Sequence, residues 1–384
     1  MKLQNLLHFW KPREKFLILE ITPERTKGLL VNIDEDKRIT PEKHWDDFSF
    51  TGTQSHSAQN LRKRKLIVSA DSALATTLSF PAEFKREQGL AQHPVTLAEL
   101  ETLLAQVIAK EFASRRREAS NRLSLHELDT ILVNAKAENF KVDRHAIMNP
   151  VGFSGKMVGA VLELTFTTRG IFENLKQFFN AKDGFFFTET ARAGLRALAK
   201  FEELPVNLLF LKSHGASGFM LEKAAWGTRV HREKLDWPLN SLFESIKTAI
   251  PVTHDVVLRI YHAFLNEGTS EHFRAALHRV MRPEIEKFFE AVRGSRLRGK
   301  AYLHAAAPLP FRVPLREGRL AMHEVPLRDV LQKSGFSFDA SEWEFPDSEM
   351  FVRLAPFLEF YHDKSESEIN HRLRRRLHWL IQES

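Results

Sequence analysis

The sequence predicts an α/β protein with more than one cored domain, ending in a basic amphipathic helix. Three observations carry this. Strand-like runs joined by short polar turns alternate with segments whose apolar residues recur at helical spacing. The chain has 384 residues, enough for two or three cores. Its last segment, Ser365 to Ser384, gathers leucine and isoleucine on one helical face and arginine on another.

In chain order, Met1 to Trp10 spaces Leu3, Leu6, Leu7 and Trp10 helically, a segment too short to be stable alone and expected to pack on the first domain. Phe16 to Asp34 holds two apolar runs around a polar turn near Thr22-Pro23-Glu24, a hairpin. His44 to Asn60 is polar and reads as a strand followed by a mobile loop tipped by TGTQSHSAQN. Lys65 to Phe80 gives two more strand-like pieces, closed by Pro81. Thr96 to Arg117 is a helix: Thr96 and Glu99 form a capping box, and Leu97, Leu100, Leu104, Val107 and Ile108 make one stripe.

Leu125 to Thr168 is the most informative stretch. Ile131, Val133, Ala135 and Ala137 alternate with Leu132, Asn134 and Lys136, and Val161, Leu162, Leu164 and Phe166 form a second run. Between them Asn149 to Gly155 reads NPVGFSG, where Pro150 fixes one backbone angle and Gly152 and Gly155 reach angles closed to other residues. The pattern alone predicts a hairpin in an α+β unit. Ile171, Leu175, Phe178 and Phe179 then share a helical face, Phe185 to Phe187 reads as a short buried strand, and Thr190 to Phe201 as a small-residue helix with Ala191, Gly194, Leu195 and Leu198 inward. Val206 to Leu221 begins a second domain. Leu235 to Arg293 is mostly helical, with Val257, Ile260, Tyr261 and Phe264 on one stripe and Ile285, Phe288, Phe289 and Val292 on another that opens after Pro283, as a helix's first turn would. Lys300 to Phe311 reads as a strand and turn, and Met350 to Tyr361 as a helix.

Composition narrows the function. With 43% hydrophobic and 27% charged residues the chain reads as a soluble globular protein, expected in the cytoplasm because no apolar run approaches the roughly 18 residues of a spanning helix and no signal peptide is evident. No cysteine is present, which excludes thiol nucleophiles and cysteine metal sites. None of the 17 histidines sits in HExxH or at a recognised ligand spacing. The net charge of +7 draws on runs at Arg62-Lys63-Arg64-Lys65, Arg115-Arg116-Arg117 and Arg374-Arg375-Arg376. No RNP, helix-turn-helix or finger pattern accompanies them, so no nucleic-acid partner is expected.

NPVGFSG, following a helix and a strand and preceding another strand, resembles the motif of the small inserted SHS2 (1C) subdomain of the FtsA family. The resemblance covers the chain from about Phe16 to Ser384. It implies an α/β actin-like (ribonuclease H-like) two-lobed fold with an inserted α+β SHS2/1C subdomain and a C-terminal amphipathic helix. The implied boundaries are 12–83 and 169–203 for the first lobe, 84–168 for the insertion, 204–362 for the second lobe and 365–384 for the tail. In that family the first strand ends in D-x-G-T/S beside the nucleotide phosphates. Here Glu20, Thr22 and Pro23 correspond, with Lys27 nearby, so the acid is lengthened and the glycine lost. The second phosphate loop, D-I-G-G-G-T-T-D, becomes Leu211-Lys212-Ser213-His214-Gly215-Ala216-Ser217-Gly218. Gly215, Ser217 and Gly218 keep loop character, but the magnesium-organising carboxylates are gone. The adenosine-facing T-G-G-G becomes Ala305-Ala306-Ala307-Pro308. The expected site is thus a degenerate nucleotide cleft, a pseudo-ATPase. ATP with Mg²⁺ is the one cofactor it could be asked to hold, and all three departures count against it.

The tail supplies the second site. Ser365 to Glu368 contains a capping box, and Ile369, Leu373, Leu377, Leu380 and Ile381 fall on one face with Trp379 at its border. Arg374, Arg375, His371 and His378 cluster opposite, with Arg372 and Arg376 at the edge. Such a helix suits an interfacial membrane anchor, a helix packed on its own domain, or a calmodulin-type target. The FtsA resemblance favours the anchor, although the linker before it, Asp363 to Ser367, is short. The implied role is a peripheral protein on the inner face of the cell membrane that self-associates and tethers FtsZ through its C-terminal peptide. PilM, the actin-like component of type IV pilus machines, is the nearest rival; it binds a membrane partner's peptide and has no lipid-binding tail. An active actin-like ATPase and a pure scaffold rank behind these two.

Overall fold

The structure is a computed structural model that describes residues 14–50, 61, 64–179, 185–338, 346–366 and 368–377. The segments Met1 to Trp10 and TGTQSHSAQN, and Trp379, Leu380 and Ile381, lie outside them.

Phe16 to Leu19 are all buried because β1 (Glu14–Ile21) is sandwiched in its sheet, antiparallel to β2 (Thr26–Ile33) and parallel to β4 (Lys65–Ala70). A strand covered on both faces reads as a continuous apolar run, as β1 does. β3 (Arg38–Trp45) extends the sheet beyond β2. The chain then leaves for the inserted unit: β5 (Ala75–Lys85), α1 (Leu97–Leu123), β6 (Thr130–Val142), β7 (His145–Ala146) and β8 (Met157–Thr168), in a sheet of order β5-β8-β6-β7. β5 thus pairs with the insertion, whose sheet begins at Ala75. α2 (Arg169–Phe179) leads back to β9 (Phe186–Glu189), which joins β4 in parallel, and to α3 (Thr190–Ala199).

The second lobe repeats the scheme. β10 (Val206–Lys212), β11 (Gly215–Ala224) and β12 (Gly227–Leu235) form an antiparallel trio. The helices α4 (Asn240–Ala249), α5 (His254–Leu265) and α6 (Glu271–Gly294) follow. β13 (Gly299–Ala305) then pairs in parallel with β10, and after β14 (Leu315–Glu317) β15 (Leu320–His323) pairs in parallel with β13. α7 (Leu327–Lys333) and β16 (Ser337–Phe338) return the chain to the edge of the first sheet, beside β3. α8 (Asp347–Glu366) and α9 (Glu368–Arg376) close the described chain. The two large sheets run β16-β3-β2-β1-β4-β9 and β12-β11-β10-β13-β15-β14. In each, an antiparallel trio is continued by two parallel strands. This repeated order defines a two-lobed, ribonuclease H-like architecture, and the fold is actin-like.

α3 and α8 fill the space between the sheets, where Leu195 and Leu198 of α3 share one core with Phe351, Leu354 and Phe357 of α8, Phe16 and Ile18 of β1, and Leu208 of β10. Gly194 permits this approach: a Cβ there would come 2.6 Å from Leu208 Cδ2. An ionic network seats the inserted sheet on the same two helices. Arg192 Nε and Arg196 Nη2 of α3 donate to Glu163 Oε2 of β8 at 3.1 and 2.8 Å, and Lys136 of β6 pairs with Glu359 of α8 at 3.4 Å.

Several expectations change in detail. Pro283 lies inside α6, not at its start. The helix begins after Ser270, whose hydroxyl accepts from Phe273 N, and the buried stripe Leu277, Met281, Ile285, Phe288 and Val292 offsets the backbone bond that proline removes. Pro81 does not end β5 but sits within it; β5 is an edge strand, where a missing N–H is tolerated. β6 runs on to Val142 and turns at Asp143 and Arg144, both at positive φ, so NPVGFSG is a loop after the turn and not the turn itself. α8 extends to Glu366, and α9 begins at Glu368.

Candidate functional site

The β1–β2 turn, the β10–β11 turn and the end of β13 converge between the lobes. Glu20 and Lys27 are register partners on β1 and β2. Lys27 Nζ donates to Glu349 Oε1 of α8 at 3.0 Å. The buried Arg353, one helical turn on, donates Nη2 to the same oxygen at 2.7 Å and to Asp46 Oδ1 at 3.0 Å. Burial pushes the Glu20 carboxyl above its ordinary range, against the pull of Lys27 and Arg353. Glu349 is held low, the charges and hydrogen bonds of Lys27 and Arg353 outweighing its desolvation.

The opposing lobe reaches across. Lys212, the last residue of β10, ion-pairs with the buried Asp71 just after β4, and Asp71 Oδ1 accepts from Ala73 N at 2.8 Å. Arg232 of β12 donates Nη1 to Ser72 O at 2.9 Å. His304 of β13 lies near Lys27, Lys212 and Glu349; desolvation first, then the Lys27 charge, brings its imidazole down to about 4, so it is neutral at pH 7.

The cleft residues expected from the sequence are only partly together. Glu20 and Lys27 join this cluster. Thr22 spends its hydroxyl on its own turn, donating to Arg25 O at 2.9 Å. Ser213 and His214 form a two-residue turn, with Lys212 opposite Gly215. Ser217 and Gly218 are not loop residues: they pair with Phe210 and Leu209 inside β11, and a Cβ on Gly218 would stand 2.3 Å from Leu297 Cδ1. Ala305 ends β13 opposite Leu211, Ala306 N donates to Leu211 O at 2.8 Å, and Ala305 and Ala307 pack on the second-lobe core. Asp71, His304, Glu349 and Arg353 were missed as members, and Lys212 was read only as part of the altered second loop. A lysine ending a central apolar strand was the one signal that pointed to them.

This arrangement does not fit ATP with Mg²⁺. The position that the resemblance gives to the second-loop acid is the buried Leu211, and the nearby carboxylates Asp71 and Glu349 already answer Lys212, Lys27 and Arg353. Among the described residues no group of three or more histidines and carboxylates is placed to hold a metal ion.

The described part of the tail is packed on the inserted unit. Ile369, Leu373 and Leu377 are 5%, 0% and 0% exposed and complete the core of the inserted unit with Leu100, Leu104, Phe140 and Leu162. Asn370 Oδ1, also buried, accepts from Ala137 N at 2.7 Å, on the side of β6 that β7 leaves uncovered. Those three apolar side chains are therefore closed to lipid in this arrangement. Burying three such residues is worth on the order of 5 kcal/mol or more, and the amide bond satisfies a backbone donor that would otherwise be unpaired. Arg372, Arg375 and Arg376 face out; Arg372 pairs with Glu368 at 2.6 Å and Arg376 with Glu101 at 3.6 Å. Arg374 is half-buried. Among the described residues no helix is long and apolar enough to cross a membrane.

Around NPVGFSG, the buried Arg86 guanidinium donates to Gly155 O and His93 O at 3.0 Å each and grips Glu99 at 2.7 and 2.9 Å. Thr96 caps α1 by accepting from Glu99 N, but the Glu99 carboxylate goes to Arg86, leaving the capping box half made. The Arg86 hydrogen bond is the main reason that carboxyl sits below its ordinary range.

No family model matches the chain, and no curated protein matches it. Similar solved structures exist. A PilM–PilN type IV pilus biogenesis complex is 12% identical with a TM-score of 0.46, over 95% of this chain and 99% of that one. A ROK family protein from Streptococcus pneumoniae in complex with sucrose is 8% identical at 0.39, over 92% and 100%. The ethanolamine utilization protein EutJ from Carboxydothermus hydrogenoformans is 13% identical at 0.33, over 91% and 90%. Each is a chain this one is similar to in fold.

Proposed function

We propose that this protein is a non-hydrolysing adaptor of the actin-like fold, which acts by binding a peptide segment of an assembly partner. What supports this is the Lys212–Asp71 ion pair: an ammonium already tied to a carboxylate stands in the segment that the resemblance gives to the second phosphate loop. Calorimetric titration with ATP and Mg²⁺, with a phosphate-release assay, tests it: neither binding nor turnover is expected, and micromolar binding with turnover would overturn it.

The tail orders the readings of the partner. A PilM-like adaptor, working in a pilus machine as the PilM–PilN pair does, needs no lipid-binding helix, and the buried face of α9 favours it. The FtsA-like reading, a peripheral protein on the inner membrane face tethering FtsZ filaments, stands second. It is supported by the outward arginines Arg372, Arg375 and Arg376, of which Arg372 and Arg376 are shared with Glu368 and Glu101; a basic residue near anionic lipid is worth roughly 1 kcal/mol. Co-sedimentation with FtsZ polymers on anionic liposomes, using the full chain and a chain ending at Lys364, separates them. Recruitment lost on truncation would restore the division reading. Self-association belongs to both readings and is measured by sedimentation velocity.

A further inference from the structure

The β11–β12 hairpin of the second lobe is fastened at both ends to the rest of the molecule. At its tip, Trp226 lies over Gly159 of β8 so closely that a Cβ there would stand 2.7 Å from Trp226 Cη2. Lys141 of β6 places its ammonium 4.0 Å from the centre of the Trp226 ring and donates to Ala225 O at 3.2 Å. Gly227, at φ +107°, fits against Asn139, whose Nδ2 would be 2.2 Å from an added Cβ. At its base, Arg232 donates to Ser72 O of the first lobe, and Lys212, at the start of the β10–β11 turn, pairs with Asp71. The tip contacts are to the insertion and the base contacts to the first lobe, so neither lobe can turn against the other without separating an aromatic, a cationic and a hydrogen-bonded contact together.

We propose that this hairpin is a fixed strap that holds both lobes and the inserted subdomain in one closed arrangement, independent of any ligand in the cleft. Trp226 on the hairpin and Lys212 on the adjoining β10 are the positioning residues: one fills the space over a glycine that has no side chain, the other supplies the charge across to the first lobe. The inference extends the proposed function, in which nucleotide does not operate the cleft.

The absence of cysteine in the chain allows clean spin labelling at Glu35→Cys in the first lobe and Glu290→Cys in the second. Pulsed electron resonance should give one narrow interlobe distance distribution, unchanged by millimolar ATP and Mg²⁺. Trp226→Ala with Lys212→Ala should at least double its width. Trp226→Ala alone, at a half-exposed hairpin tip, should broaden it part-way and serves if the double variant does not fold. The exchange Asp71→Lys with Lys212→Asp, keeping Trp226, should return the narrow distribution. A broad or two-peaked distribution in the parent, or a narrow one in the double variant, would overturn the strap. Calorimetric ATP binding with the distribution still narrow would count against the functional reading and leave the strap standing.

Discussion

Replacing Leu373 by alanine tests the placement of the tail. Leu373 is 0% exposed, and its neighbours in the inserted core include Leu100, Leu104 and Phe140. Truncating a buried leucine costs about 2–5 kcal/mol. The lower half applies here, because a short helix near the chain's end can shift to close part of the cavity. About 2–3 kcal/mol taken from α9 docking converts to a roughly 30- to 150-fold faster opening. The reporter is the Ala137 amide, whose hydrogen bond is to Asn370 Oδ1 of the same helix. Hydrogen exchange over residues 135–140 should accelerate by that factor in Leu373→Ala and stay unchanged in Arg375→Ala, whose side chain faces solvent. If Ala137 protection is untouched by Leu373→Ala while binding to anionic vesicles falls, the apolar face meets lipid and the packing argument is refuted.

Two more outcomes follow from the same structure. Glu189 is buried beside Asp71 and Arg232 and accepts from Thr77 N at 2.8 Å; burial raises its carboxyl from 4.5 to about 7. Its folded value lies above its unfolded one, so the stability it contributes is complete below about pH 4.5 and is lost as pH rises through 7. Glu189→Gln should remove that slope and raise stability at pH 8 by on the order of 1–3 kcal/mol relative to the parent, read from urea midpoints at pH 5 and pH 8; a parallel loss at both would refute it. At Gly155 an added Cβ would stand 2.4 Å from Val142 Cγ1 and 2.9 Å from Asp143 Oδ2. Gly155→Ala should therefore cost about 1–3 kcal/mol, visible as lost protection of the β6–β8 ends, whereas an unchanged exchange pattern would show that the loop yields freely.

Local pattern carried the fold well. The alternation from Ile131 to Ala137 and the stripe from Leu97 to Ile108 each belong to one element, and each was legible from spacing. Legibility fell where the partner is remote. Asp71 and Lys212 are 141 positions apart, and neither has a local reason to be an ion pair. The tail's periodicity announced an oily face, yet spacing carries no information on whether lipid or a sheet edge covers it; Asn370, a polar residue among isoleucine and leucine, was the hint that a backbone donor lay opposite. Gly218 looked like a phosphate-loop glycine because composition cannot separate a loop glycine from one that makes room for a leucine.

The docking of α9 also bears on how the molecule is made. The insertion is encoded before Arg169, but Ile369, Leu373 and Leu377, needed to finish its core, are translated some two hundred residues later. Domains ordinarily settle as they emerge from the ribosome; here an early unit waits, with an uncovered strand edge, for α9 to emerge. A nonsense codon between β16 and Ile369 would therefore damage a subdomain encoded some two hundred residues upstream.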